Sequence, residues 1–337
     1  MKIAIVGCGT MGELYARNLS QIDGVNVTAV CSTRLEAAEL TAALCGAAPY
    51  TSYEKMMEET DPDVLCVTLP TYLHKEYVLD AARRGKHAIC EKPIAPHLAD
   101  AAEMISACEK AGVRLFVGHV LRFYPDYELV RQKAASGAIG EVEAAHLKRG
   151  GSHPGLARSW YNDPAKSGGV ILDLLIHDID YARFVLGEVR TVYAHNKRGD
   201  ATDHALITLQ FESGAIAHVQ GFWGYPGPFT AEVEFIGRNG VARYSNLEGK
   251  TEGQEEPETA STPDAGLKEV PKVVVEEGPS EISPFRVQFE HFLACIGHGG
   301  EPLVTAWDAY KAVEIALAAN ESARTGMPVQ LPLAAAD

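Results

Sequence analysis

The chain has 337 residues, 46% of them hydrophobic and 22% charged, an ordinary globular composition at a length that exceeds the usual size of one core, so two domains are expected. Its 45 Asp and Glu outnumber 30 Lys and Arg, and the formal charge of −15 argues against nucleic acid or anionic lipid as partners. The opening Met1-Lys2-Ile3-Ala4-Ile5-Val6 has no export-signal pattern, and no apolar run approaches the roughly 18 residues of a membrane span. Seven cysteines without metal-type spacing suggest small buried thiols in a reducing compartment, so a cytoplasmic protein with neither a disulfide framework nor a metal is expected.

From Lys2 to about Val117, short β-rich runs alternate with helical stretches. The strands are expected at Ile3 to Val6, Val25 to Val30, Val64 to Thr68, His87 to Cys90 and Arg114 to Val117. Between them lie segments such as Leu35 to Leu44 and Leu98 to Ala111, rich in Ala, Leu, Glu and Lys with periodic apolar positions. This alternation predicts βαβ units, a doubly wound parallel sheet and a dinucleotide-binding domain over residues 1–120.

After Phe123-Tyr124-Pro125 a helix is expected from Tyr127 to Ser136, followed by longer alternating runs. These are Val142 to Lys148, Val189 to His195, Ala205 to Phe211, Ala215 to Phe222 and Ala231 to Ile236, with turns such as Glu212-Ser213-Gly214 that suit antiparallel neighbours. One helix, Val170 to Leu186, interrupts them after Gly168-Gly169; Glu248 to Glu269 reads as a solvated loop, and helices return at Phe285 to Cys295 and Ala306 to Arg324. Residues 121–337 are thus expected to form an α+β domain for substrate binding and oligomerisation.

Gly7-Cys8-Gly9-Thr10-Met11-Gly12 has GxGxxG spacing between the first strand and the helix Glu13 to Leu19. Gly7 would permit the tight turn, Gly9 the approach of a pyrophosphate, and Gly12 close helix packing, with the helix N-terminus facing the phosphates. At the end of the second strand no acidic residue stands ready for a ribose 2′-hydroxyl. Ser32, Thr33 and Arg34 instead offer hydroxyls and a guanidinium to a 2′-phosphate, which predicts NADP(H) as the preferred cofactor with NAD(H) possible. Glu91-Lys92-Pro93 puts Lys92 at the carboxyl edge of the parallel sheet, and Asp173 and His177 stand four positions apart on one helix face, where the carboxylate could orient the imidazole and raise its pKa.

Together these pieces resemble the Gfo/Idh/MocA family of oxidoreductases. The resemblance also takes in Thr68-Leu69-Pro70 with His74, Gly118-His119 with Arg122-Phe123, and Pro302-Leu303-Val304-Thr305 before the last long helix. It implies a Rossmann domain followed by a domain with a large, mostly antiparallel open sheet, and it places Lys92, Asp173 and His177 in the substrate pocket beside the nicotinamide. The cofactor set is then Gly7, Gly9, Thr10, Met11, Gly12, Ser32, Thr33, Arg34, Thr68, Pro70, His74, Glu91 and Lys92. His119, Arg122, Trp160, Tyr161 and Lys166 are further candidates for substrate contact. Each also has a plainer reading: aromatic packing for Trp160 and Tyr161, an ion pair for Arg122, and a satisfied or solvated side chain for His119 and Lys166.

The expected reaction moves a hydride between the nicotinamide and a hydroxyl or carbonyl carbon of a sugar, sugar derivative or cyclic polyol. His177 is the first choice for acid/base, oriented by Asp173, while Lys92 stabilises charge on the reacting oxygen or carries the proton itself. A redox-neutral NAD-dependent glycosidase and a non-catalytic dinucleotide-binding regulator are the alternatives. A homodimer or homotetramer is expected, because an open sheet has a face to cover; Val219, Phe222 and Val233 are the residues read as that face.

Overall fold

A computed structural model describes residues 1–247, 272–274 and 282–333. The first sheet is built from β1 (Lys2–Val6), β2 (Asn26–Cys31), β3 (Ala48–Tyr50), β4 (Val64–Val67), β5 (His87–Cys90) and β6 (Leu115–Val117). All its pairings are parallel, in the order β3-β2-β1-β4-β5-β6. The connecting helices are α1 (Thr10–Leu19), α2 (Leu35–Ala43), α3 (Tyr53–Thr60), α4 (His74–Arg83) and α5 (Leu98–Ala111). Ile3, Ala4, Ile5 and Val6 are all buried, as expected for a central parallel strand covered on both faces, which is why these strands read as apolar runs rather than alternating ones.

The second half opens with α6 (Pro125–Ala135) and β7 (Val142–Gly151), then α7 (Pro164–Ser167), α8 (Gly169–Asp173) and α9 (Ile176–Leu186). Next come β8 (Val189–Arg198), β9 (Asp203–Phe211), β10 (Ile216–Trp223), β11 (Thr230–Gly237), β12 (Gly240–Ser245) and β13 (Lys272–Val274), and finally α10 (Pro284–His298), α11 (Ala306–Thr325) and β14 (Val329–Gln330). The sheet order is β13-β12-β11-β7-β10-β9-β8-β14, mostly antiparallel, with parallel pairing of β7 to β10 and β12 to β13. The expected loop from Glu248 to Glu269 lies outside the described residues.

Three features depart from the linear reading. The expected helix Val170 to Leu186 is two helices, interrupted at Leu174 and Leu175, where the N–H of Leu175 bonds back to the Val170 carbonyl. Helix α10 packs on the first sheet's helical layer, with Phe289 edge-on to Tyr15 at 4.5 Å and Phe292 stacked on Phe116 at 4.7 Å, so the first core is completed from near the end of the chain. Val219 and Val233, read as the uncovered face, are buried on the side packed by helices. The opposite side of the sheet is polar: a hollow of about 590 Å³ is lined there by His146, Lys148, Tyr193, His195, His218, Glu232 and Glu234, and Phe222 is partly exposed. The correction follows from strand alternation, since a period of two specifies two faces but not which one meets the helices.

The chain passes between the sheets through a 3₁₀ turn, Val120–Phe123, and Arg122 fixes that turn in place. Its guanidinium donates to both Asp180 carboxylate oxygens, at 2.9 and 2.6 Å, and to the Leu303 carbonyl at 2.8 Å. Asp308, 3.4 Å away, is itself bonded to Arg183 and, as N3 of a capping box, to the backbone of Thr305 at the start of α11. One buried cation thereby joins the interdomain turn to α9 and α11. Asp180→Ala, which strands this cation away from water, should cost about 3–5 kcal/mol of stability in urea unfolding; a loss below about 1 kcal/mol, the range of exposed pairs, would contradict the structural role given to Arg122.

Candidate functional site

The glycine turn stands at the carboxyl ends of β1 and β4. Gly7 has φ +104°, and a Cβ there would lie 2.6 Å from the Thr68 carbonyl oxygen, so both conformation and space demand glycine. A Cβ on Gly12 would collide with the carbonyl of Gly7, which is how α1 comes to start directly over the turn. Thr68 braces this turn from below, its Oγ1 2.6 Å from the Gly7 carbonyl oxygen. The result is a bend in front of a helix N-terminus that no side chain caps, with Gly9 as the cap residue and Thr10 and Met11 opening the helix.

At the end of β2, Ser32 is half-buried while Thr33 and Arg34 are exposed, and the Arg34 N–H donates to Ser32 Oγ at 3.3 Å. His74 is buried, its two ring nitrogens 2.8 and 2.9 Å from the carbonyl oxygens of Leu69 and Pro93, so it ties the segment containing Pro70 to the one after Lys92. Glu91 is also buried, and burial pushes its carboxyl above the ordinary range. One carboxylate oxygen accepts the Lys92 N–H at 3.1 Å, and the other faces Gly118 close to the Tyr15 hydroxyl. His74 and Glu91 are therefore buried supports of the segments around Lys92, not exposed contacts.

Lys92, at the end of β5, reaches across to the other domain. Its Nζ donates to the Asp173 carbonyl at 2.8 Å and to the Asp173 carboxylate at 3.2 Å, both side chains being largely buried. The expected Asp173–His177 pairing is replaced by this one. The reason is the interruption at Leu174 and Leu175, which breaks the helical register that would have stacked the two side chains one turn apart. His177 consequently has no carboxylate to raise its pKa; burial first, and then the positive charges of Lys92 and Arg149, hold it well below the usual imidazole value. Its Nδ1 is sealed from solvent and has no hydrogen-bond partner among the described residues. Arg149 itself is consumed by Asp178, at 2.7 and 2.9 Å, and by the Tyr127 hydroxyl.

Of the proposed substrate contacts, Trp160 and Tyr161 remain at the cleft. They stack on each other at 3.8 Å, and Trp160 lies edge-on to Tyr72 and Tyr161 edge-on to Trp223. Burial and the nearby Asp173 carboxylate push the Tyr161 phenol upward, so it is a neutral hydroxyl close to the Lys92–Asp173 pair. Lys166 is exposed at the rim, 3.5 Å from Asp163 and over the Tyr72 ring. Arg122 is removed from the list by its buried ion pair. His119 is fully buried behind the site, both ring nitrogens lacking hydrogen-bond partners among the described residues and Nδ1 3.7 Å from Asp180. The linear reading missed Tyr15, beneath Glu91, and Arg158, whose Nη2 donates to Thr10 Oγ1 at 2.7 Å. No spacing rule could have joined residues 148 positions apart. The available signal was a basic residue two places before the aromatic pair. Among the described residues, no three His, Cys, Asp or Glu side chains are grouped to hold a metal, and no helix is long and apolar enough to cross a membrane.

With this geometry in place, comparison with known proteins is decisive. The model of the Gfo/Idh/MocA oxidoreductase family's NAD-binding Rossmann fold matches residues 1–119, and that of its C-terminal alpha/beta domain matches residues 131–331. The chain belongs to the Gfo/Idh/MocA family. An uncharacterized oxidoreductase, YrbE, of Bacillus subtilis (strain 168) is 30% identical over 350 residues, covering 97% of this chain and 95% of the relative. The scyllo-inositol 2-dehydrogenase (NAD(+)) of the same strain is 28% identical over 348 residues, covering 98% and 96%. Among solved structures, GenD2 from gentamicin A biosynthesis, in complex with NAD, superposes with a TM-score of 0.86 at 24% identity, covering 99% of this chain and 97% of that one. Family membership accounts for the parallel first sheet and for the mixed, mostly antiparallel second sheet. It also makes this chain an oxidoreductase with an NAD-binding fold.

Burial also gives the site a pH dependence. His119 and His177 resist protonation when folded, whereas unfolded imidazoles take up a proton near pH 6.5. Their contribution to stability is therefore complete above that pH and is lost as pH falls through their lower folded values. The urea midpoint is expected to drop between pH 7.5 and pH 5 and, in His119→Gln, to drop by less; an equal drop in the variant would deny His119 this role.

Proposed function

We propose that this enzyme oxidises a hydroxyl-bearing carbon of a sugar, sugar derivative or cyclic polyol, or reduces the matching carbonyl, with Lys92 and His177 as its catalytic residues and Asp173 positioning the lysine. Residues 1–120 hold the dinucleotide and residues 121–337 supply the substrate pocket and the subunit interface. The observation that carries the reading is one juxtaposition: Lys92, at the end of a first-domain strand, is locked to Asp173 of the second domain, four residues before His177.

The residues present fit a nicotinamide dinucleotide, since the Gly7 and Gly12 positions leave no room for a Cβ and the bend ends in a helix N-terminus that no side chain caps. When bound there, the nicotinamide supplies the hydride acceptor or donor. Gly9, Thr10 and Met11 would meet the pyrophosphate, and Ser32, Thr33 and Arg34 the adenosine ribose. His177 is neutral at neutral pH, as an acceptor for the hydroxyl proton must be, and this supports it as the general base in the oxidative direction. Lys92 retains an N–H beyond the two given to Asp173 and presents positive charge to the oxygen on which negative charge develops. Asp173 thus positions the lysine, not the histidine. Trp160 and Tyr161 form an aromatic wall suited to the apolar face of a sugar ring.

A relative named for scyllo-inositol supports a polyhydroxylated substrate. The exposed Arg34 at the end of β2 supports a preference for NADP(H), with NAD(H) accepted. Seven unpaired cysteines, six of them buried, suit a reducing cytoplasm, and the polar open face of the second sheet is the surface offered to a homodimer or homotetramer.

A panel of sugars, polyols and sugar acids, assayed with NAD and NADP in parallel by nicotinamide absorbance, tests the reading. With the best substrate, Lys92→Met and His177→Ala should each slow single-turnover hydride transfer roughly 10²- to 10⁴-fold. Near-normal rates in both would remove the site. Arg34→Ala should weaken NADPH about tenfold, the scale of one charge-assisted contact, and leave NADH unchanged; equal effects on the two would discard the NADP preference.

A further inference from the structure

We infer that Arg158, carried by the second domain, is a ligand of the dinucleotide pyrophosphate at the phosphate turn, beside the N-terminus of α1. This rests on the turn being the dinucleotide site. The segment 152–163, two short 3₁₀ turns at Pro154–Leu156 and Ser159–Asn162, leaves the end of β7 and folds back over the first domain. It brings the Arg158 guanidinium directly over Gly9: a Cβ built there would lie 2.9 Å from both Nη1 and Nη2. Nη2 also donates to Thr10 Oγ1 at 2.7 Å. Gly9 therefore does more than open space in front of the backbone, because the space it opens is faced by a cation.

The electrostatics of this placement call for an anion. A helix N-terminus carries partial positive charge, and a guanidinium set beside it is repelled unless negative charge lies between them. Among the described residues no carboxylate lies within ion-pair distance of Arg158, although the chain carries a surplus of 15 acidic groups. Its hydroxyl partner is neutral. A pyrophosphate supplies the missing charge, and a planar guanidinium matches two phosphate oxygens at once. Adenosine and nicotinamide riboside offer nothing comparable at this point, so the pyrophosphate is the ligand part assigned.

The same segment continues within two residues to Trp160 and Tyr161, and Arg158 is close enough to Tyr161 to act on its phenol electrostatically. A pyrophosphate held by Arg158 would accordingly fix the aromatic wall of the substrate pocket, which favours cofactor binding before substrate.

Fluorescence titration of the full-length protein with NADH and NADPH decides the matter. Arg158→Met and Arg158→Gln are compared with wild type, with circular dichroism as the check on folding. Expected is a rise in Kd of roughly ten- to a hundredfold for both dinucleotides by the same factor, since the pyrophosphate is common to them. Arg158→Gln keeps a donor for Thr10 without the charge and should lose nearly as much, whereas Arg158→Lys should recover part of the affinity. Kd values within twofold of wild type in either folded variant overturn the proposal. So does a loss confined to NADPH, which would place the guanidinium at the 2′-phosphate instead. Wild-type protein that binds neither dinucleotide would overturn the cofactor reading itself, a result distinct from tight wild-type binding that Arg158 variants leave unchanged.

Discussion

The bond from Lys92 to Asp173 is the constraint on which the site depends. It joins the end of a strand in the first domain to the end of a short helix in the second, with donor–acceptor distances of 2.8 Å to the carbonyl and 3.2 Å to the carboxylate. A largely buried ammonium is costly unless its charge is met, and here one residue meets it twice. The interruption between α8 and α9 makes this possible by ending the first helix at Asp173 and turning its carboxylate and carbonyl toward the lysine. The two domains are tied together at this point by one cation and one helix end.

Charge is then divided between neighbours. Lys92 stays paired with Asp173, and its field helps keep His177 neutral. A lysine and a histidine are thereby placed in different charge environments, one ion-paired and one kept from protonation. The unpartnered, sealed Nδ1 of His177 belongs to the same economy, since a carboxylate there would have raised the pKa that burial and Lys92 lower.

A second set of buried charges supports the frame without touching the chemistry. Arg122, Asp180, Asp308 and Arg183 connect the interdomain turn to the two long helices of the second domain, while Arg149 and Asp178 anchor α9 to β7. Such networks resemble a catalytic cluster in a linear sequence because both are made of the same residue types. Burial separates them: Arg122 and Asp180 are nearly inaccessible, whereas Trp160 and Tyr161 keep an exposed edge.

What the sequence by itself determined is local. Glycine spacing identified a turn that only glycine fits, apolar runs located the parallel strands, and Glu91-Lys92-Pro93 with Asp173 and His177 pointed to the family. Tertiary structure alone decided who partners whom. Lys92 finds Asp173 across 81 positions, Arg122 finds Asp180 across 58 and Arg158 finds Thr10 across 148. It also decided that Val219 and Val233 face helices, and that α10 completes the first core. The physical reason is that periodicity and propensity act over a few residues, while the partner of a buried charge is chosen by whichever element packing brings within reach.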